Sequence, residues 1–350
     1  MMWRFSGTYT ALVTPFTRDG QIDWTALDLL VDKQLAAGID GLVILGTTGE
    51  APTVHGDEAV SLLCRVRDRV GSAITVIAGV GGNDTLSTIQ QAQMAEATGV
   101  DGLLVTCPYY SKPSQPGLIQ HFEAVATAVS VPVLLYNIKG RTAVNLEVST
   151  ILELARVANI VGMKEANSEM DHVLSLMAAV PKDFAVLSGN DDMALSILAL
   201  GGAGLISTLA NLLPEEVKEV VDEMLVGRWL EARALHNRLL PLMRGCMLET
   251  NPIPIKTALA WRGDIGPTFR SPICSMQGGP AGEWRRLLEQ RGFLPGGAAA
   301  SPVAEHGGCV MSRLNRHERG NTSDAIPSFL QEASRERRFA TKVGLSPRRE

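Results

Sequence analysis

Residues 131–164 read VPVLLYNIKGRTAVNLEVSTILELARVANIVGMK. Val131–Tyr136 is a short aliphatic run of the kind that forms a buried strand. Leu146–Val157 carries apolar residues at helical spacing, and Ile160–Lys164 is a second strand-like run. Strand, helix and strand joined by short links make a βαβ unit, with parallel strands and a right-handed crossover. The same rhythm recurs on both sides. Further strands are expected at Thr10–Val13, Gly41–Leu45, Thr75–Ala78, Gly102–Thr106, Phe184–Ser188 and Gly204–Ser207. Helices are expected at Trp24–Ala37, Glu58–Val70, Thr85–Thr98, Leu118–Val129, Met170–Val180, Asp192–Leu200 and Pro214–Val226. About eight repeats in roughly 220 residues is the size of a (β/α)8 TIM barrel.

Boundary chemistry agrees. Asp23 precedes Trp24 as an N-cap, and Gly38 and Gly99 follow helical runs as stops. Pro214-Glu215-Glu216 places a proline and two acids in a first turn, which suits the helix dipole. An open doubly wound sheet would carry a Gly-rich dinucleotide loop after its first strand. Here Thr14-Pro15-Phe16 stands there, and Gly79-Val80-Gly81-Gly82 reads as a tight βα turn rather than a phosphate cradle.

After Gly227 the rhythm is helical only, with helices expected over Trp229–Met247, Pro254–Trp261 and Ala281–Arg291. The expected organisation is a catalytic barrel over residues 1–227, a small C-terminal helical domain over 228–295 and a disordered tail over 296–350. The tail holds eight Arg and one Lys against six acids and shows little periodicity.

The chain has 350 residues, 45% hydrophobic and 20% charged, with net charge -5. That composition excludes a wholly disordered or fibrous chain, and the mild acidity gives no reason to expect a nucleic acid or an anionic membrane as partner. The N-terminus lacks a signal-peptide core, and no run approaches the ~18 apolar residues of a membrane span. The five Cys, at 64, 107, 246, 274 and 309, are scattered. With no CxxC pair they suggest neither disulfides nor zinc, and they favour a reducing cytoplasm. The six His show no HxxxH spacing, and Asp191-Asp192 suits a helix start better than an ion cage.

Barrel enzymes place their chemistry at the C-terminal ends of the strands. Lys164 ends a strand there. Period-2 alternation puts it on one face with Gly162 and Ile160. A lysine facing a barrel interior is desolvated, which favours a neutral amine able to form a Schiff base with a ketone. The other reading is a solvated Lys164 paired with Glu165, and position alone weighs the two equally. Tyr136 ends the preceding strand, and its phenol can move the protons that Schiff-base chemistry requires. Thr47, Thr48 and Tyr110, at other strand ends, offer a hydroxyl chain. Arg141 follows the Tyr136 strand, where a guanidinium can hold a substrate carboxylate.

At these residues the chain resembles the dihydrodipicolinate synthase / N-acetylneuraminate lyase family of class I aldolases. Gly46-Thr47-Thr48-Gly49-Glu50, Pro108-Tyr109-Tyr110, Tyr136-Asn137 with Arg141-Thr142, and Gly162-Met163-Lys164-Glu165-Ala166 stand in family order. Gly204-Leu205-Ile206-Ser207 and Asn251-Pro252-Ile253-Pro254-Ile255-Lys256 extend the likeness, which covers residues 6 to 295. It implies that Lys164 forms a Schiff base with pyruvate, which becomes an enamine, and that no other cofactor is needed. It implies Tyr136 as proton donor and acceptor, with Thr47 and Tyr110 completing the relay. Thr48 and the backbone of Ile206 would hold the pyruvate carboxylate. Tyr110 would come from a neighbouring subunit, in a homotetramer built from dimers. Arg141 favours the synthase branch, with aspartate 4-semialdehyde as second substrate, 4-hydroxy-tetrahydrodipicolinate as product, and a place in lysine biosynthesis. The family's Pro after Tyr-Asn is Lys139 here, which leaves room for another pyruvate-dependent aldolase or dehydratase of the family. A catalytically silent ligand-binding homologue is the rival from outside enzymology. Ala51-Pro52-Thr53-Val54-His55-Gly56 departs from the lysine-sensitive pattern, so feedback by lysine is expected to be weak or absent.

Overall fold

Eight parallel strands close on themselves in sequence order: β1 (Gly7–Ala11), β2 (Gly41–Ile44), β3 (Thr75–Val80), β4 (Gly102–Thr106), β5 (Val133–Asn137), β6 (Ile160–Glu165), β7 (Ala185–Ser188) and β8 (Gly204–Ser207). β8 pairs back onto β1, with Gly7 opposite Gly204. The computed structural model describes residues 5–294, and the tail read over 296–350 lies outside them.

The helices outside the barrel are α1 (Trp24–Ala36), α2 (Gly56–Val70), α3 (Thr85–Glu96), α4 (Gln115–Thr127), α5 (Lys139–Thr142), α6 (Val148–Leu154), α7 (Met170–Ala179), α8 (Ala194–Ala199) and α9 (Pro214–Leu225). A helical region follows, made of α10 (Trp229–Gly245), α11 (Ile253–Arg262) and α12 (Gly278–Gln290). Asp23 caps α1 by accepting from Ala26 N at 3.0 Å. Gly38 and Gly99 take the left-handed backbone expected of helix stops, at φ +69° and +79°. No helix among the described residues is long and apolar enough to cross a membrane.

Strand alternation divides the core in two. Tyr9, Val43, Ile77, Leu104, Leu134 and Leu187 belong to one cluster, contributed by alternate positions of successive strands. Their neighbours Leu42, Leu103, Val133, Leu135 and Val186 join the larger cluster between strands and helices. Burying each such aliphatic side chain contributes roughly 1.5–3 kcal/mol, so the barrel is held by its lining as well as by its ladder.

Three expectations need correction. Ile160 does not share a face with Lys164. The β5–β6 register steps from Val133↔Ile160 to Leu134↔Gly162, a bulge at Val161. Ile160 therefore joins the helix-facing cluster, while Gly162 and Lys164 keep the face of Leu134 and Tyr136. The first strand starts and ends earlier than Thr10–Val13, because the Val13 N–H leaves the ladder for Asn211 Oδ1 at 3.0 Å. The helix expected over Leu146–Val157 shortens at its start to Val148, because the Leu146 N–H is taken by Asn137 Oδ1 at 3.1 Å.

The helical region is bound to the barrel through buried and part-buried polar contacts. Lys256 on α11 reaches Glu50, just after β2, and both side chains are almost wholly buried. Its ammonium lies 4.5 Å from the Phe16 ring and 4.7 Å from the Phe269 ring. Arg270 grips both Glu58 carboxylate oxygens at 2.7 and 2.6 Å and the Thr53 carbonyl at 2.6 Å. Trp284 of α12 is fully buried and donates to the Pro254 carbonyl at 2.8 Å.

Candidate active site

Lys164 and Tyr136 are directly paired neighbours on β6 and β5. Both are buried, and Lys164 Nζ lies 4.5 Å from the centre of the Tyr136 ring. The reading in which Lys164 reaches solvent and pairs with Glu165 is overturned. Glu165 points to the other face, where it accepts from Asn137 Nδ2 at 3.0 and 3.2 Å and from Asn167 N at 2.6 Å, with His172 Nε2 at 3.3 Å.

The backbone beside Lys164 is tightly fitted. A Cβ at Gly162 would sit 2.3 Å from the Ala185 carbonyl oxygen. A Cβ at Gly189, just past β7, would sit 2.7 Å from Ala166 Cβ and 3.0 Å from Lys164 Cε. These two glycines let neighbouring strands close around the lysine.

Two buried carboxylates face this end of the barrel. Asp191 accepts from the Ser207 hydroxyl and from Thr208 N at 3.0 Å. Burial raises its carboxyl above the usual aspartate range, while those hydrogen bonds and the Lys164 charge pull it back. Glu50 accepts from Lys256 and from Arg270 N at 3.1 Å, and so anchors the loop that carries Thr47 and Thr48. Burial holds the Lys256 amine below the usual lysine range, against the pull of Glu50.

The remaining candidates divide. Thr48 is buried on the turn after β2 and accepts from Asn251 Nδ2 at 2.9 Å. Thr47, beside it, is half-buried. Ile206 of β8 lines the same interior cluster as Tyr136. Arg141, on α5, donates to the Asn251 carbonyl at 3.0 Å. Tyr110 stands apart, 88% exposed at φ +70° after β4. Among the described residues no hydrogen bond links Thr47, Tyr110 and Tyr136, so a single chain does not assemble the expected hydroxyl relay. Lys139, the departure in the α5 loop, is half-exposed and paired with Glu169 at 2.6 Å.

A family model of the dihydrodipicolinate synthetase family matches residues 4–291. The chain belongs to that family. A 4-hydroxy-tetrahydrodipicolinate synthase from Koribacter versatilis is 40% identical over 298 residues, 85% of this chain and 99% of that one. The dihydrodipicolinate synthase of Aquifex aeolicus superposes with a TM-score of 0.81 at 38% identity, over 83% of this chain and 99% of its own. The 4-hydroxy-tetrahydrodipicolinate synthase of Methylacidiphilum fumariolicum SolV does so with a TM-score of 0.81 at 42% identity, over 83% and 96%.

Within this dihydrodipicolinate synthetase fold, sequence reading missed two elements of the site. Asn251 touches both Thr48 and Arg141. The Glu50–Lys256 pair fixes the Thr47-Thr48 turn to α11. Their signal lay in the Asn251–Lys256 stretch, whose buried lysine had no assigned partner. Among the described residues there is no group of three or more His, Cys, Asp or Glu arranged to hold a metal ion.

Proposed function

We propose that this chain condenses pyruvate with L-aspartate 4-semialdehyde to 4-hydroxy-tetrahydrodipicolinate, as a lyase of the diaminopimelate route to lysine. The carrying observation is the buried Lys164 Nζ against the Tyr136 ring at the end of adjacent strands. Lys164 Nζ attacks the ketone carbon of pyruvate, and loss of water gives a Schiff base. Loss of a methyl proton gives the enamine, whose carbon attacks the aldehyde. The semialdehyde's own amine then displaces Lys164 from the imine carbon, closing the ring and freeing the enzyme. The sum is pyruvate plus semialdehyde to product plus one water. The Schiff base stands in place of any added cofactor.

Tyr136 is the proton donor and acceptor for these steps. Thr48 and the Ile206 backbone hold the pyruvate carboxylate, and Arg141 holds the carboxylate of the semialdehyde. Thr47 continues the proton path, and Tyr110 completes it from a second copy of the chain. The exposure of Tyr110 supports that last role, since its ring buries little against its own chain. A dimer is then the least unit that can turn over, and a tetramer of two dimers is the assembly we favour. The scattered thiols fit a cytoplasmic enzyme.

The test is a coupled assay with pyruvate, aspartate 4-semialdehyde and excess dihydrodipicolinate reductase, following NADPH loss. Turnover is expected in the native chain and not in Lys164→Ala. A native chain that traps pyruvate under borohydride yet shows no turnover would overturn the choice of aldehyde.

A further inference from the structure

Asn251 holds two substrate-facing residues with two different groups. Its buried side chain donates from Nδ2 to Thr48 Oγ1 at 2.9 Å, and its backbone carbonyl accepts from Arg141 Nη2 at 3.0 Å. Among the described residues its buried Oδ1 has no partner, and the bond to Thr48 is the side chain's one polar contact. A hydroxyl has one proton and two lone pairs. The Asn251 amide fills a lone pair of Thr48, which leaves the Thr48 proton to be given elsewhere. Among the described residues, no acceptor in the chain takes it.

From this juxtaposition we infer that Asn251 is a positioning residue for pyruvate: its amide turns the Thr48 O–H toward the pyruvate carboxylate. The inference rests on the Thr48 role given under Proposed function. The backbone contact to Arg141 is independent of the side chain at 251, so side-chain substitution separates the two substrates. In Asn251→Asp the carboxylate accepts only, and Thr48 must spend its proton on it.

The experiment uses the full chain and reads the pyruvate concentration that gives half-maximal borohydride trapping, together with the KM of each substrate. Asn251→Asp is expected to raise the pyruvate value about tenfold, near the loss of one good hydrogen bond, and to leave the semialdehyde KM within about twofold. In a Thr48→Val background the same change should add nothing further, because its effect runs through the Thr48 hydroxyl. Equal rises in both KM values, or additive effects of the two substitutions, would overturn the inference. Should Asn251→Asp fail to fold by thermal melting, Asn251→Ala removes the donor without adding charge and carries the same expectations. Absence of trapping in the native chain would instead overturn the underlying pyruvate chemistry.

Discussion

Lys164 and Tyr136 face one another across β6 and β5, with the lysine nitrogen 4.5 Å from the ring centre. Two neighbouring parallel strands in register bring an amine and a phenol to the same end of the barrel. The phenol can then hand a proton to or from whatever is bonded to the amine. Lys164→Ala should abolish both pyruvate trapping and turnover. Tyr136→Phe should still bind pyruvate but lose about 10²–10⁴-fold in turnover, the range for a general acid–base group. Single-turnover kinetics separate the two steps.

Gly189→Ala should slow Schiff-base formation. The added carbon would press on Ala166, on the Glu165 carbonyl and on Lys164 Cε. Overpacking of this kind typically costs 1–3 kcal/mol, and here part of the strain falls on the lysine. The check is the rate of borohydride trapping at saturating pyruvate beside a circular dichroism melt. An unchanged trapping rate in a folded variant would show that the lysine does not feel the close approach.

Tyr110 offers a test of shared sites. Tyr110→Phe and Lys164→Ala should each be poorly active alone. Co-expressed, they should form hybrid dimers in which the Lys164→Ala copy supplies Tyr110 to an intact Lys164. Random pairing should restore roughly a quarter of native activity. If Tyr110 served its own chain, the mixture would stay near the sum of the two variants.

How much of this was legible in the sequence depends on separation along the chain. The βαβ rhythm of residues 131–164 placed Tyr136 and Lys164 at strand ends, because local periodicity reports the face a residue takes. Ile160 was misplaced because a one-residue bulge depends on the register with β5, which no local pattern records. The 3₁₀ turn of Asp191–Met193 reads as a helix start, but the burial of Asp191 under Ser207 and Thr208 does not. Asn251 and Lys256 meet Thr48 and Glu50 across some two hundred residues. Such pairs follow from closure of the barrel and the packing of α11 onto it.

The Glu50–Lys256 pair should be costly to break from one side. Both side chains are almost wholly buried, so Lys256→Met leaves a buried carboxylate that has lost its cation and keeps only the Arg270 N–H. The expected loss is about 3–5 kcal/mol, read from denaturant unfolding. A loss below about 1 kcal/mol would mean that the Thr47-Thr48 turn is held by other contacts.

Acid should weaken the Arg270–Glu58 clamp. The Arg270 guanidinium, hydrogen-bonded to both oxygens, holds the Glu58 carboxyl below the usual glutamate range. The folded value lies below the unfolded one, so the stabilisation is present above about pH 4.3 and is lost as pH falls through the folded value. Glu58→Gln should therefore cost about 1 kcal/mol or less at pH 7, since solvent screens this partly exposed pair. That difference should vanish in strong acid. Parallel unfolding curves at both pH values would contradict the assignment.

The most direct test of the central claim is to reduce the chain with borohydride in the presence of pyruvate and map the adduct by peptide mass spectrometry. One adduct is expected, on the peptide carrying Lys164, and none in Lys164→Ala. An adduct on another lysine, or none in protein that turns over both substrates, would contradict it.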